Sequence, residues 1–268
     1  MIRILGIVVG AVGATLLIRE RQGRLAAERL AAAVLETLLG AIDANDSETG
    51  AHVRRVARYA LILADAADLD AAEQRNVERI ALFHDVGKID EALFDIIHEE
   101  SSLTEAEREA VRTHPARGAD VLSPLASFYP ELSKGVLSHH ERWDGTGYPR
   151  GLRGTSIPLA ARIVSVADAF DAITYNRRYR SGRSAAEAAE KIMNGRGTQF
   201  DPDLVDLFLS PPVFEAVMTV LRDDNDPKPR RASRRTAEET TRPPDLTFRW
   251  RTTTPAPRAL GRARRRSP

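Results

Sequence analysis

Apolar side chains recur at three- and four-residue intervals between about residue 25 and residue 222. Leu30, Val34, Leu38 and Ile42 keep this spacing, as do Val53, Val56, Ala60, Leu63 and Ala67. Such spacing marks one face of an α-helix. Start signals accompany it. Thr104-x-x-Glu107 and Ser184-x-x-Glu187 have the form of capping boxes, and Asp201-Pro202 reads as an N-cap followed by proline at the first helical position. Gly87, Gly118 and the stretch 143–156 interrupt the pattern. No alternating strand series and no internal repeat is visible. The expected class is all-α.

The two ends depart from this pattern in opposite ways. Ile4 to Ile18 carries no charge, and Arg19, Arg21 and Arg24 follow it. A spanning helix needs roughly 20 apolar residues, with about 17 as the lower limit. Residues 1–24 are therefore expected to form a membrane anchor. The basic flank would leave the rest of the chain in the cytoplasm, tethered to the inner membrane by this single N-terminal helix. A signal peptide and a buried helix are the alternatives. Residues 25–45 read as a linker helix whose apolar stripe could pair two copies of the chain as a homodimer. The other end, 223–268, is rich in Arg, Pro and Thr and poor in aliphatics. Such a segment buries too little apolar area to offset its ordering entropy, and disorder is expected. Residues 227–268 hold thirteen Lys or Arg against three acids, a net +10 that leaves −9 on the rest of a chain of +1 overall. That tail is either simply solvated or drawn to anionic lipid heads or nucleic acid.

The middle zone, 46–222, carries the chemistry. Cysteine is absent, which excludes disulfides, thiolate metal sites and cysteine nucleophiles. Any metal must be held by nitrogen and oxygen. Five of the six histidines fall into an ordered series with carboxylates: His52, His84-Asp85, His114, His139-His140 and, beyond them, Asp168. Neighbours on a helix point about 100° apart. His84 and Asp85 can therefore reach one centre only near a helix end, which Val86-Gly87 supplies. Aspartate has two oxygens and can bridge two cations, so Asp85 is the natural shared ligand of a two-metal site. Glu48 lies four residues before His52 on the same helix face. It is either a further ligand or a favourable negative charge in the first helical turn. Proline at 115 restrains His114 to extended backbone at a helix start, a loop end where a ligand can project. Asp168 sits in the apolar run Ile163–Asp171, where a carboxylate must be paired, hydrogen-bonded or metal-bound. Asp171, one turn on, is expected to support the site by hydrogen bonding rather than to ligate. His98 lies in a polar run and is expected to be solvated. Lys88 carries a compact charge suited to phosphate.

The series His52 … His84-Asp85 … Asp168 resembles the HD phosphohydrolase superfamily. With His114, His139-His140 and Gly147-Tyr148-Pro149 the chain resembles its HD-GYP subfamily over about 40–210. The resemblance extends through Thr113-His114-Pro115-x-x-Gly118, Arg177-Arg178-Tyr179-Arg180 and Phe200-Asp201-Pro202. It implies an HD-type helical bundle with additional helices carrying the GYP loop. It also implies two or three divalent ions, iron or manganese. His52, His84, Asp85 and Asp168 would hold one ion. Asp85 would bridge to a second held by His114, His139 and His140, and Glu48 would serve a third. Lys88, Arg177 and Arg180 match phosphate-contacting positions, and Asp85 and Lys88 would be catalytic. Gly147 and Tyr148 would join Lys88, Arg177 and Arg180 in binding the substrate. Tyr148 and Trp143 would either stack on a guanine or pack to fix the loop. The implied reaction is hydrolysis of a cyclic dinucleotide, cyclic di-GMP to pGpG and on to GMP, or of cyclic GMP-AMP, in bacterial signalling. The GYP loop could also dock a signalling partner. The alternatives are an HD hydrolase of another phosphate substrate and a non-catalytic dinucleotide receptor. The chain departs from the subfamily at 90–102, where an acidic segment replaces the usual Gly-Val-Pro and Lys-Pro-Gly, and at Arg178, where proline is usual.

Overall fold

The structure is a computed structural model that describes residues 2–89, 104–175 and 182–225, with side chains from 19 to 224. Ten helices run in order through the described residues: α1 (Ile2–Asn45), α2 (Ser47–Ala66), α3 (Ala71–Phe83), α4 (Glu105–Val111), α5 (His114–Leu122), α6 (Leu132–Ser138), α7 (Leu159–Thr174), α8 (Ala185–Asn194), α9 (Pro202–Phe208) and α10 (Pro211–Asn225). Short 3₁₀ turns cover Val86–Ile89, Ser123–Leu125 and Gly154–Ser156. No strand occurs among the described residues, and the fold is all-α.

The middle of the bundle is α2. Val56, Tyr59, Ala60 and Leu63 on its apolar stripe are fully buried. They pack within one core with Val77, Ile80 and Ala81 of α3 and Val164, Ala167 and Phe170 of α7. The Phe170 ring meets Tyr59 edge-on at 5.2 Å and Phe208 at 5.5 Å, a geometry that adds attraction beyond the area buried. The 3.6-residue period thus brings α2, α3 and α7 together, and they carry His52, His84 and Asp168.

The capping boxes at Thr104/Glu107 and Ser184/Glu187 form, and Asp201 caps α9 with Pro202 at its first position. Two expectations fail locally. Gly118 does not interrupt a helix; it lies inside α5. A Cβ there would sit 3.1 Å from Val136, 3.2 Å from Val86 and 3.3 Å from the Gly87 nitrogen. At Gly87 a Cβ would fall 2.2 Å from the His114 carbonyl oxygen and 2.6 Å from the Gly118 nitrogen. The two glycines exist to let the 86–89 turn lie directly on α5. The second concerns His114: a helix starts there as expected, but His114 is itself the first residue of α5 rather than extended. Proline at the second helical position gives up an N–H that the first turn would leave unpaired in any case.

Residues 1–226 form one compact unit. Among the described residues no single helix is long and apolar enough to cross a membrane. The side chains of residues 1–18 of the expected anchor lie outside them, as do the 90–102 segment with His98, the Arg177–Arg180 motif and the basic tail from 226 onward.

Candidate metal centre

Three helix ends and two helix faces converge. His84 is the C-cap of α3, still in right-handed helical backbone, and Asp85 leads into the 86–89 turn. His139 caps α6 and His140 follows it; His114 opens α5. His52 faces inward from α2, and Asp168 and Asp171 stand one turn apart on α7.

Their ring nitrogens divide the work. The Nδ1 atoms of His84, His114 and His139 lie 2.8, 2.7 and 2.6 Å from the carbonyl oxygens of Ala81, Val111 and Val136, each three residues back. A carbonyl only accepts, so each Nδ1 carries the proton and each Nε2 presents a lone pair to the centre. His52 is oriented by a carboxylate instead, with Nδ1 2.7 Å from Asp171 Oδ2. Arg55 donates to both Asp171 oxygens at 2.7 and 2.9 Å, and its guanidinium lies 3.4 Å from the centre of the Tyr175 ring.

Two donor groups result. His52, His84 and Asp85 have ligand atoms within 4.8 Å of one another, and so do His114, His139 and His140. Asp168 Oδ1 adjoins the first group, 3.3 Å from His52 Nε2 and 3.8 Å from His84 Nε2. Asp85 stands between them. Its Oδ2 lies 3.5 Å from His84 Nε2 and 3.8 Å from His52 Nε2, while Oδ1 lies 3.3 Å from His114 Nε2. Glu48 is half-buried one turn before His52 and belongs to neither group. Lys88 sits at the mouth, its Nζ 2.7 Å from Asp85 Oδ2.

The donor set fits cations. His84 Nε2 and Asp85 Oδ1 are buried without a hydrogen-bond partner, which costs about 1–3 kcal/mol each unless something else satisfies them. His114 Nε2 and His139 Nε2 lie 3.1 Å apart. With both Nδ1 protons committed to carbonyls, this is two lone pairs facing each other. It is also close to the separation of about 3 Å between adjacent nitrogens held at about 2.1 Å from one ion. Nitrogen and carboxylate donors without thiolate suit a first-row divalent metal.

The electrostatics differ between the groups. Burial works against a charged His52, but Asp168 and Asp171 outweigh it and lift the ring to about 9. Burial lowers His84, His139 and His140; neighbouring imidazoles push His139 and His140 further, and His140 falls to about 4. Burial would raise the Asp85 carboxyl, yet Lys88 and the histidines hold it well below the usual carboxylate range.

A family model of the HD domain matches residues 36–204. The chain belongs to the HD-domain family. Its relatives bear out the HD-GYP resemblance. The chain is 38% identical over 177 residues to the cyclic di-GMP phosphodiesterase response regulator RpfG of Xanthomonas campestris, covering 65% of this chain and 46% of that one. It is 36% identical over 174 residues to the 3'3'-cGAMP-specific phosphodiesterase 2 of Vibrio cholerae, covering 64% and 33%. It is 35% identical over 195 residues to a cyclic di-GMP phosphodiesterase of Thermotoga maritima, covering 72% and 52%. It therefore spans about a third to a half of the length of these relatives. Two solved structures share the fold. One is a cyclic GMP-AMP specific phosphodiesterase of V. cholerae, with 24% identity, TM-score 0.51 and coverage of 73% of this chain and 53% of that one. The other is the L. monocytogenes PgpH HD domain with cyclic-di-AMP, with 17% identity, TM-score 0.50 and coverage of 72% and 99%.

Within this HD domain the structure gathers His52, His84, Asp85, His114, His139, His140, Asp168 and Lys88 at one place. Tyr148 stacks on His140, ring centres 5.0 Å apart at 24°, and Trp143 faces Arg162. Gly147 lies against the backbone of Glu141 and Arg142. Two residues were missed from sequence. Arg55 had a faint signal, standing one turn after His52 on the same face. Glu141 had none, because the groups it binds are backbone amides.

Proposed function

We propose that this HD domain hydrolyses a cyclic dinucleotide, cyclic di-GMP foremost, at two divalent ions of iron or manganese. The supporting observation is the placement of Asp85, one oxygen toward each group of imidazole lone pairs. Bound ions would supply a water acidic enough to ionise near neutral pH and would neutralise charge on the phosphodiester. His52, His84, Asp85 and Asp168 would hold one ion and Asp85, His114, His139 and His140 the other, with Glu48 open to a third. The protein's own part is electrostatic. Lys88 holds Asp85 ionised and sets a fixed positive charge beside the phosphate. Arg177 and Arg180 would add charge on the substrate side. A cavity of about 660 Å³ runs from His139, His140 and Asp168 to Lys191 and Gln199, within the usual size of ligand pockets, and offers room for the rest of the dinucleotide.

In the same reading the chain signals from the membrane. Residues 1–24 anchor it to the inner membrane, 25–45 link and pair two copies, 46–222 catalyse in the cytoplasm, and 223–268 add a basic contact to the lipid surface. The GYP loop is open to a signalling partner.

The test is turnover of cyclic di-GMP, cyclic GMP-AMP and cyclic di-AMP by the purified full chain, supplied with iron and manganese in turn. Metal-dependent formation of pGpG or GMP is expected. A protein that binds two ions and leaves all three substrates intact would overturn the reading.

A further inference from the structure

Glu141 is 3% exposed, yet it carries a carboxylate. Its oxygens accept from two backbone N–H groups across the loop: Arg150 at 2.8 Å on Oε1 and Leu152 at 2.9 Å on Oε2. The Arg150 side chain turns back to the buried Ser138 Oγ at 2.7 Å, and Ser138 Oγ donates to the Lys134 carbonyl of α6 at 2.7 Å. The loop is thus tied at both ends to the helix that delivers His139 and His140. At its near side the Tyr148 N–H donates to the His140 carbonyl at 3.3 Å. Gly147 is pressed so close that a Cβ would lie 2.3 Å from the Arg142 nitrogen and 2.6 Å from the Glu141 Cα. The product of this closure is the Tyr148 ring, laid over the imidazole of His140. His84, His114 and His139 are each aimed by a carbonyl three residues back; His140 is aimed by a ring, and that ring is placed by the loop.

We propose that Glu141 is a positioning residue for the His114/His139/His140 group. Tying down the Arg150 and Leu152 amides holds Tyr148 against His140, and this fixes the imidazole for its cation. The inference rests on the reading of that group as a metal site. Only a carboxylate satisfies both amides with one side chain. Glutamine would turn an NH₂ toward one of the two donors.

The experiment measures Mn²⁺ stoichiometry and affinity by calorimetry on the full chain and its variants, alongside the melting temperature of the metal-free proteins. Wild type is expected to bind two ions. Glu141→Gln should weaken one of them about 10–100-fold, the usual effect of removing an outer support, and leave the other unchanged. Tyr148→Ala should do the same and Tyr148→Phe should not. Coupling identifies the ion affected. Adding His114→Ala to Glu141→Gln should abolish the already weakened ion and leave the other at wild-type affinity, whereas adding His52→Ala should remove the unaffected ion and leave the weakened one. Two ions at wild-type affinity in Glu141→Gln would overturn the latch and leave the metal centre standing. Equal weakening of both ions, with a lowered metal-free melting temperature, would reduce Glu141 to a fold residue and also overturn it. A wild type that binds no divalent cation would overturn the metal reading and the latch together. Should Glu141→Gln fail to fold, the pair Tyr148→Ala and Tyr148→Phe decides the matter, since equal affinities in those two would also overturn the proposal.

Discussion

The two donor groups do one job with opposite electrostatics. Around His52 the protein concentrates negative charge. Asp85, Asp168 and Asp171 surround it, and among the described residues Arg55 and Lys88 offset them. That field holds a proton on the ring up to about pH 9. Around His114, His139 and His140 the protein concentrates imidazoles, with Asp85 the shared carboxylate, and burial with mutual repulsion keeps His139 and His140 neutral. The first group is a charged cradle occupied by a proton until a metal replaces it. The second is a set of lone pairs already free, destabilised by facing one another until a cation enters. Supports differ in the same sense: a buried carboxylate and guanidinium for His52, backbone carbonyls and a stacked ring for the others.

The largest expected effect comes from the residue both groups share. Asp85→Ala should lower turnover by about 10³-fold or more, the scale on which electrostatic stabilisers act in closed sites. It should also weaken both ions, as calorimetry would read. Loss of one ion alone would show that Asp85 serves a single group, and the picture of two halves joined by one carboxylate would break.

Asp171→Asn strikes only the charged half. Metal affinity there should fall about 10–100-fold, as when other outer partners of ligating histidines are removed. The metal-free protein should also lose as much as about 3–5 kcal/mol, because Arg55 is buried and left without its anion. Denaturant unfolding of the chelated protein measures this. An unchanged affinity in the His52 half, or a loss confined to the His114 half, would mean that the supports cross between groups.

A smaller change tests the backbone seam between the halves. Gly87→Ala places a methyl against the His114 carbonyl and the Gly118 amide, both backbone atoms. Overpacking of this kind costs about 1–3 kcal/mol. Asp85 and His114 should be pushed apart, so the ion they share should weaken more than the one at His52 and His84. A loss of stability with both affinities intact would show that the seam tolerates the shift.

How far the site was legible from sequence follows from the same contrast. The ligand types were readable because imidazoles and carboxylates have few other uses inside an apolar helical core, and His84-Asp85 could share a centre only at the helix end that Val86-Gly87 announced. The helix starts at Thr104, Ser184 and Asp201 were readable because caps are local chemistry. Gly118 was misread as a break, since nothing in its neighbours reveals that the Gly87 backbone lies upon it. Arg55 and Asp171 are 116 positions apart, and only the packing of α2 on α7 makes them partners. Glu141 binds amides nine and eleven residues on, and an amide leaves no mark in the sequence.

Protonation gives the finest test of the comparison. His52 titrates in the folded metal-free protein at about 9, above the ordinary histidine value of 6.5. Its contribution to stability is therefore present in full below about 6.5 and is lost as pH rises through 9. His140 is depressed to about 4; its contribution is present above 6.5 and lost as pH falls through 4. The chelated protein should melt highest near pH 6.5 and decline on both sides. Metal binding at about pH 7.5 should release the proton of His52, whereas His84, His139 and His140, all lowered, have none to give. Calorimetry in two buffers of different ionisation enthalpy counts it. Asp171→Asn should lessen both the alkaline decline and the proton released, since it removes one of the two carboxylates that hold the proton. If release near pH 7.5 is negligible in wild type, His52 is neutral before the metal arrives, and the two halves are electrostatically alike.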